Sequence, residues 1–153
     1  MVYTLQLEDA EATQDLGARL GAFASQGSVL ALSGELGAGK TTLAQGLGRA
    51  LEVPGPVTSP TFQLLFVHEG RMPMFHADLY RLGDESELVE LGFDELLGQQ
   101  GVSVVEWAER FPEILPEDHL EARLLYQGEA RVIELRAHGP RSRTWLRQAL
   151  GRD

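Results

Sequence analysis

A run of nine residues limits what this chain can fold into. Gly34-Glu35-Leu36-Gly37-Ala38-Gly39-Lys40-Thr41-Thr42 has the spacing of a phosphate-binding loop: glycine, four residues, Gly-Lys, then Ser or Thr. Gly34, Gly37 and Gly39 can take positive φ and bring backbone close to a ligand at no side-chain cost. The N–H groups of Leu36, Gly37, Ala38 and Gly39 then turn inward as a nest for phosphate oxygens. Lys40 carries a point charge to the β- and γ-phosphates, and the Thr41 hydroxyl reaches Mg²⁺. Thr42 adds a second hydroxyl near an α-phosphate, where the opening helix presents its positive end. The flanks suit the loop. Val29-Leu30-Ala31-Leu32-Ser33 reads as a buried parallel strand, and Leu43, Leu47, Ala50 and Leu51 share one face of a helix. Lys40 is the one lysine among thirteen basic residues. A compact ammonium suits a phosphate here better than the planar fork of arginine.

Bulk properties narrow the function. A length of 153 residues predicts a single domain, 1–153. The absence of cysteine excludes a disulfide framework, a zinc–thiolate site and a thiol nucleophile. The first residues lack a basic stretch followed by an apolar one, and no apolar run approaches a membrane span. The expectation is a cytoplasmic protein with no membrane contact. A net charge of −10 argues against a protein that grips nucleic acid unaided, because phosphate binding needs a basic footprint. It leaves open a nucleic-acid pathway reached through a partner. Asp84, Glu85, Glu87, Glu90, Asp94 and Glu95 gather in one stretch, either a solvated helix face or a docking surface for a basic partner. The reverse holds from Arg136 to Arg152, where no acidic residue occurs.

Along the chain, residues 3–7 predict an edge strand. Asp9 is placed to cap an amphipathic helix over 10–25, with Thr13 in its first turn. After the loop helix, Val53-Pro54-Gly55-Pro56 is a break. Thr58-Ser59-Pro60-Thr61-Phe62 is a plain turn or a segment that senses the γ-phosphate. Phe62–Val67 and Met72–Phe75, joined through Glu69-Gly70, predict a hairpin, which would make the sheet mixed. His76-Ala77-Asp78-Leu79-Tyr80-Arg81 follows. Asp78 near a strand end binds Mg²⁺ through water, orients an attacking water, pairs with Arg81, or serves as a simple cap. Residues 84–98 predict short acidic helices broken at Gly92. Val102-Ser103-Val104-Val105 is a buried strand with Glu106 at its carboxyl end, where open α/β sheets bind ligands. Glu106 therefore either stands as a Walker-B carboxylate or merely ends a strand. Two strands over 119–126 and 131–137 form a further hairpin, and a short helix carries Trp145, Leu146 and Leu150.

Four motifs in this order, Gly34–Thr42, Ser59-Pro60-Thr61-Phe62, His76-Ala77-Asp78-Leu79-Tyr80-Arg81 and Val105-Glu106-Trp107, resemble the TsaE (YjeE) family of small bacterial ATPases over nearly the whole chain. The resemblance implies an α/β, P-loop NTPase-like three-layer domain with a mixed, partly parallel central sheet. It implies ATP and Mg²⁺ as cofactors. It also implies a role in the threonylcarbamoyl modification of adenosine beside the anticodon in tRNA, driving the cycle of TsaB-like and TsaD-like partners. The tRNA would be reached through that complex. By matching position, Lys40, Thr41 and Thr42 bind phosphates and metal, Glu106 is the Mg²⁺-associated carboxylate, and Asp78 is a second acidic residue needed for turnover. Ser59-Pro60-Thr61 matches the switch segment, Trp107 lies near the nucleotide, and Thr13 and Arg131 match positions near the adenine. A kinase of this fold would close an Arg-rich lid over the phosphates, yet the arginines gather mostly after residue 120. A guanine-specific switch would need an Asn-Lys-x-Asp motif, and the chain has no asparagine.

Overall fold

The computed structural model describes residues 1–35, 37–55, 65–80, 83–90 and 92–152. Leu36, Arg81 and the whole of Ser59-Pro60-Thr61-Phe62 lie outside the described residues. In chain order the elements are β1 (Val2–Leu7), α1 (Ala10–Ala22), β2 (Ser28–Gly34), α2 (Lys40–Ala50), β3 (Leu65–His68), β4 (Met74–Asp78), α3 (Glu85–Glu90), α4 (Phe93–Leu96), β5 (Val102–Glu106), β6 (Leu120–Gln127), β7 (Ala130–Ala137) and α5 (Pro140–Ala149). Two 3₁₀ turns, Ala108–Arg110 and Pro112–Ile114, follow β5.

The strands form one sheet in the order β1-β7-β6-β2-β5-β4-β3. The four in the middle, β6, β2, β5 and β4, run parallel. Antiparallel pairs close both sides, β6–β7 and β7–β1 on one, β3–β4 on the other. The α/β mixed sheet expected from the two hairpins is thus present. Pro73 has no N–H to give a ladder, and β4 begins only after it.

Side chains alternate across a strand, and each face of the sheet has its own core. On one face Leu30, Leu32, Val102, Val104, Leu120, Ala122 and Leu124 pack with Leu16 and Leu20 of α1, Leu43 and Leu47 of α2, and Trp145 and Leu146 of α5. On the other, Val29, Ala31, Ala77, Leu79 and Val105 pack with Leu88, Phe93 and Leu97. Three layers result. Asp9 caps α1 as expected, its carboxylate accepting from the Ala12 N–H at 2.8 Å. The helix stops at Ala22, three residues short of the expected end. Among the described residues no helix is long and apolar enough to cross a membrane.

Candidate functional site

The phosphate loop leaves β2 at the carboxyl end of the parallel strands and enters α2 through Gly39, the N-cap residue, at φ 111°. Gly37 also has positive φ, 81°. Both values lie where a Cβ is penalised. Among the described residues the N–H groups of Gly37 and Gly39 find no acceptor, while that of Ala38 is taken by the Glu35 carbonyl at 3.0 Å. Thr41 and Thr42 occupy the first turn of α2 and are half-buried.

Lys40 is 5% exposed. Its Nζ donates to the Gly34 carbonyl at 2.9 Å and stands 3.9 Å from the centroid of the Trp107 ring. The ion pairs among the described residues do not include it. Burying an ammonium is costly unless charge of the opposite sign compensates it, and one carbonyl with one aromatic face does so only in part.

The sheet brings the two carboxylates beside this lysine's face. Asp78 of β4 and Glu106 of β5 are register partners, and Glu106 is also opposite Leu32 of β2. Partners in a parallel ladder point the same way. Because Leu32 faces α1 and α2, Asp78 and Glu106 project from the face that carries α2. Glu106 is 2% exposed. Its Oε2 lies 2.6 Å from Nε2 of His76, two residues before Asp78 on the same face. One Asp78 oxygen accepts from the Tyr80 N–H at 3.0 Å, an Asx turn that holds the carboxylate. Nearby, burial holds the His68 imidazole below its ordinary pKa, and the adjacent His76 adds to the effect.

Trp107 is held in an unusual conformation. It is in the left-handed region at φ 62°, a cost of about 1–3 kcal/mol that clusters at functional sites. Its N–H still donates to the Leu32 carbonyl at 3.2 Å, and the Leu79 N–H donates to the Glu106 carbonyl at 3.0 Å. The strand ends are therefore tied together just where the tryptophan turns towards Lys40. Tyr80, 56% exposed, tilts against Trp107 with ring centroids 4.9 Å apart. Arg110 donates to the Tyr80 carbonyl, fixing the aromatic pair from below.

Thr13 lies against the loop, and Arg131 lies on Tyr126 beside it. Thr13 is buried, its hydroxyl donating to the Asp9 carbonyl at 3.3 Å. Its methyl lies 3.7 Å from where a Cβ on Gly39 would stand. The Arg131 guanidinium covers the Tyr126 ring at 4.2 Å, and the Tyr126 hydroxyl is 2.9 Å from a Cβ position on Gly37. The short β6–β7 turn thus places Arg131 on Tyr126, and it is the Tyr126 hydroxyl that faces the loop. Sequence reasoning gives Tyr126 no role, names Tyr80 only as part of a motif, and does not disclose the His76–Glu106 bond. His76 and Asp78 share a face at spacing two, which was readable, but their partner strand was not.

Comparison with known proteins gives the family and the fold. A family model described as threonylcarbamoyl adenosine biosynthesis protein TsaE matches residues 7–133. A relative from Mycobacterium bovis, named tRNA threonylcarbamoyladenosine biosynthesis protein TsaE, is 47% identical over 131 residues, covering 79% of this chain and 77% of its own. One of the same name from Bacillus subtilis is 41% identical over 133 residues, 86% and 83% of the two chains. The crystal structure of Bacillus subtilis YdiB superimposes with a TM-score of 0.83 at 30% identity, covering 99% of this chain and 95% of that one. The chain belongs to the TsaE family, the threonylcarbamoyl adenosine biosynthesis proteins.

Proposed function

We propose that the chain binds ATP with Mg²⁺ in the cytoplasm and hydrolyses the nucleotide. Hydrolysis would drive a TsaB–TsaD-type complex through its cycle of adenosine modification in tRNA. The observation that carries this reading is the Lys40 ammonium, 5% exposed, whose hydrogen-bond acceptor among the described residues is one carbonyl. It stands at the end of a loop whose Gly37 and Gly39 N–H groups have no acceptor among those residues. A polyphosphate supplies the missing negative charge and the missing acceptors together.

The roles follow from position. Backbone N–H groups of Leu36, Gly37 and Gly39 hold the phosphates, the Ala38 N–H being engaged by the Glu35 carbonyl, with Lys40 on the terminal pair and Thr42 beside the first. The donor set at Thr41 and Glu106 is all oxygen, which suits Mg²⁺, and the Thr41 hydroxyl and Glu106 carboxylate would hold the ion or its waters. When bound, Mg²⁺ would polarise the phosphoryl oxygens. Asp78, register partner of Glu106, orients the attacking water and takes up its proton. Trp107 and Tyr80 shield the Lys40 side from bulk water, which strengthens its charge. Thr13, against Gly39, and Arg131, on the Tyr126 ring, would lie towards the base.

Hydrolysis of ATP by the purified chain, alone and with TsaB-type and TsaD-type proteins and tRNA, tests the reading. Phosphate release that is slow alone, rises with partners and is lost in Glu106→Gln is expected. Equal release by wild type and Glu106→Gln would contradict the assigned chemistry.

A further inference from the structure

Two histidine clusters stand out among the described residues. One joins His119, Glu121 and His138 on the other face of the sheet, with a potential ligand atom from each within 4.8 Å of the others. Its rings are stacked, centroids 4.3 Å apart and planes 18° from parallel. A metal lies close to the plane of each imidazole it binds, so rings stacked this way do not share an ion as they stand. Their nitrogens are also engaged, His119 Nδ1 with the Pro116 carbonyl and His138 Nε2 with Glu121.

The other cluster is His76 against Glu106, and its features are not explained by packing. His76 is fully buried in the middle of β4, where an apolar side chain would serve the core better. Its Nδ1 has no hydrogen-bond partner among the described residues, a cost an apolar residue would not incur. What the histidine does provide is Nε2, 2.6 Å from Glu106 Oε2. A nitrogen facing an ionised carboxylate carries the proton, so Nε2–H donates. A charge-assisted bond this short in a buried site is strong. It helps to fix the plane of the Glu106 carboxylate. Glu106 shares its face with a register partner of the same charge, Asp78, and like charges directly opposite repel. Asp78 is held in its turn by the Tyr80 N–H. Each of the two carboxylates thus has a donor of its own.

We propose that His76 is the positioning residue of Glu106, orienting that carboxylate for the metal of the nucleotide complex without touching nucleotide or metal itself. The proposal rests on the reading of Glu106 as the metal-side carboxylate. Hydrogen-bond partners of metal-side carboxylates act in this way, and losing one costs about 10–100-fold in metal affinity or activity.

The test separates metal from nucleotide. Affinity for the non-hydrolysable analogue AMPPNP is measured in EDTA, and Mn²⁺ binding to the protein–AMPPNP complex is followed by electron paramagnetic resonance. His76→Phe keeps the ring volume and removes the donor; His76→Gln keeps an N–H. His76→Phe should hold AMPPNP in EDTA as wild type does, bind Mn²⁺ about 10–100-fold more weakly, and lose kcat more than KM. His76→Gln should recover most of both. In ¹⁵N-histidine NMR of the wild type, the His76 Nε2–H signal should move when Mg²⁺ is added to the AMPPNP complex. That readout decides the matter if His76→Phe does not fold. Wild-type Mn²⁺ affinity in His76→Phe, or an Nε2–H signal indifferent to Mg²⁺, would overturn the proposal. Failure of the wild type to bind AMPPNP at all would instead remove the underlying reading, and this one with it.

Discussion

At the scale of single residues, the site turns on how Lys40 is enclosed. A Gly34 carbonyl at 2.9 Å and a Trp107 ring at 3.9 Å leave room for a compact ammonium. A guanidinium is planar, wider and needs several acceptors in one plane. Lys40→Arg keeps the charge yet should weaken ATP binding by at least about tenfold, or 1.4 kcal/mol; binding within twofold of wild type would mean that charge alone matters. This residue was legible from spacing, and so was the strand-end carboxylate Glu106. The His76–Glu106 bond was not. Periodicity says which residues of one strand share a face, but only the register of β4 against β5 puts Glu106 within reach of His76. Nor does sequence disclose that Trp107 turns through positive φ to meet Lys40, because that conformation is imposed by the strand ends on either side.

At the scale of elements, the packing of α1 on α2 positions the loop. A Cβ on Gly46 would sit 2.1 Å from the Gln14 carbonyl oxygen, and one on Gly17 2.2 Å from that of Leu43. The helices touch backbone to backbone, which brings Thr13 against Gly39. Alanine in a helix normally gains about 0.5–1 kcal/mol over glycine. Here the clash, worth about 1–3 kcal/mol or more, should win. Gly46→Ala should therefore lower the melting temperature, and an unchanged or higher value would contradict the close crossing. The glycines were visible in the sequence, but their meaning depends on which helix lies opposite. At the far end of the sheet, the N-cap of α5 is Gly139, which has no side chain to cap the first turn, though the Ser142 hydroxyl accepts from the Gly139 N–H. Asp118 supplies one from the β6 approach, accepting from the Ser142 N–H at 3.0 Å and the Arg141 N–H at 2.8 Å. Burial pushes the Asp118 carboxyl up, but the Ser142 hydroxyl, these two N–H groups and the Arg141 guanidinium outweigh it. The net shift is below the ordinary aspartate value. A depressed folded-state pKa stabilises above the unfolded value and is lost as pH falls through the folded one. Asp118→Asn should thus cost about 1 kcal/mol at pH 7, and the difference from wild type should vanish in acid, below the aspartate range. A difference independent of pH would rule out the charged cap.

At the scale of the molecule, the sheet order that separates β2 from β4 by β5 assembles the site. Hairpin signals predicted a mixed sheet and the P-loop predicted its parallel part. Strand order lay beyond the sequence, since it rests on contacts between residues far apart in the chain. The molecule carries a net charge of −10, and Glu87 and Glu90 are exposed on α3 beside a Val89 that is 61% exposed. Acidic rims set association rate and partner choice more than affinity. Glu87→Lys with Glu90→Lys should slow association with a TsaB–TsaD-type complex and leave ATP binding unchanged. Unaltered association kinetics would exclude α3 from the interface. Each proposed role begins with one event, the entry of a magnesium-bound triphosphate into the loop around Lys40. Titration calorimetry with ATP and Mg²⁺ measures it directly. The account predicts heat of binding at one nucleotide per chain for the wild type and none for Lys40→Ala; equal heats from the two, or none from either, would contradict it.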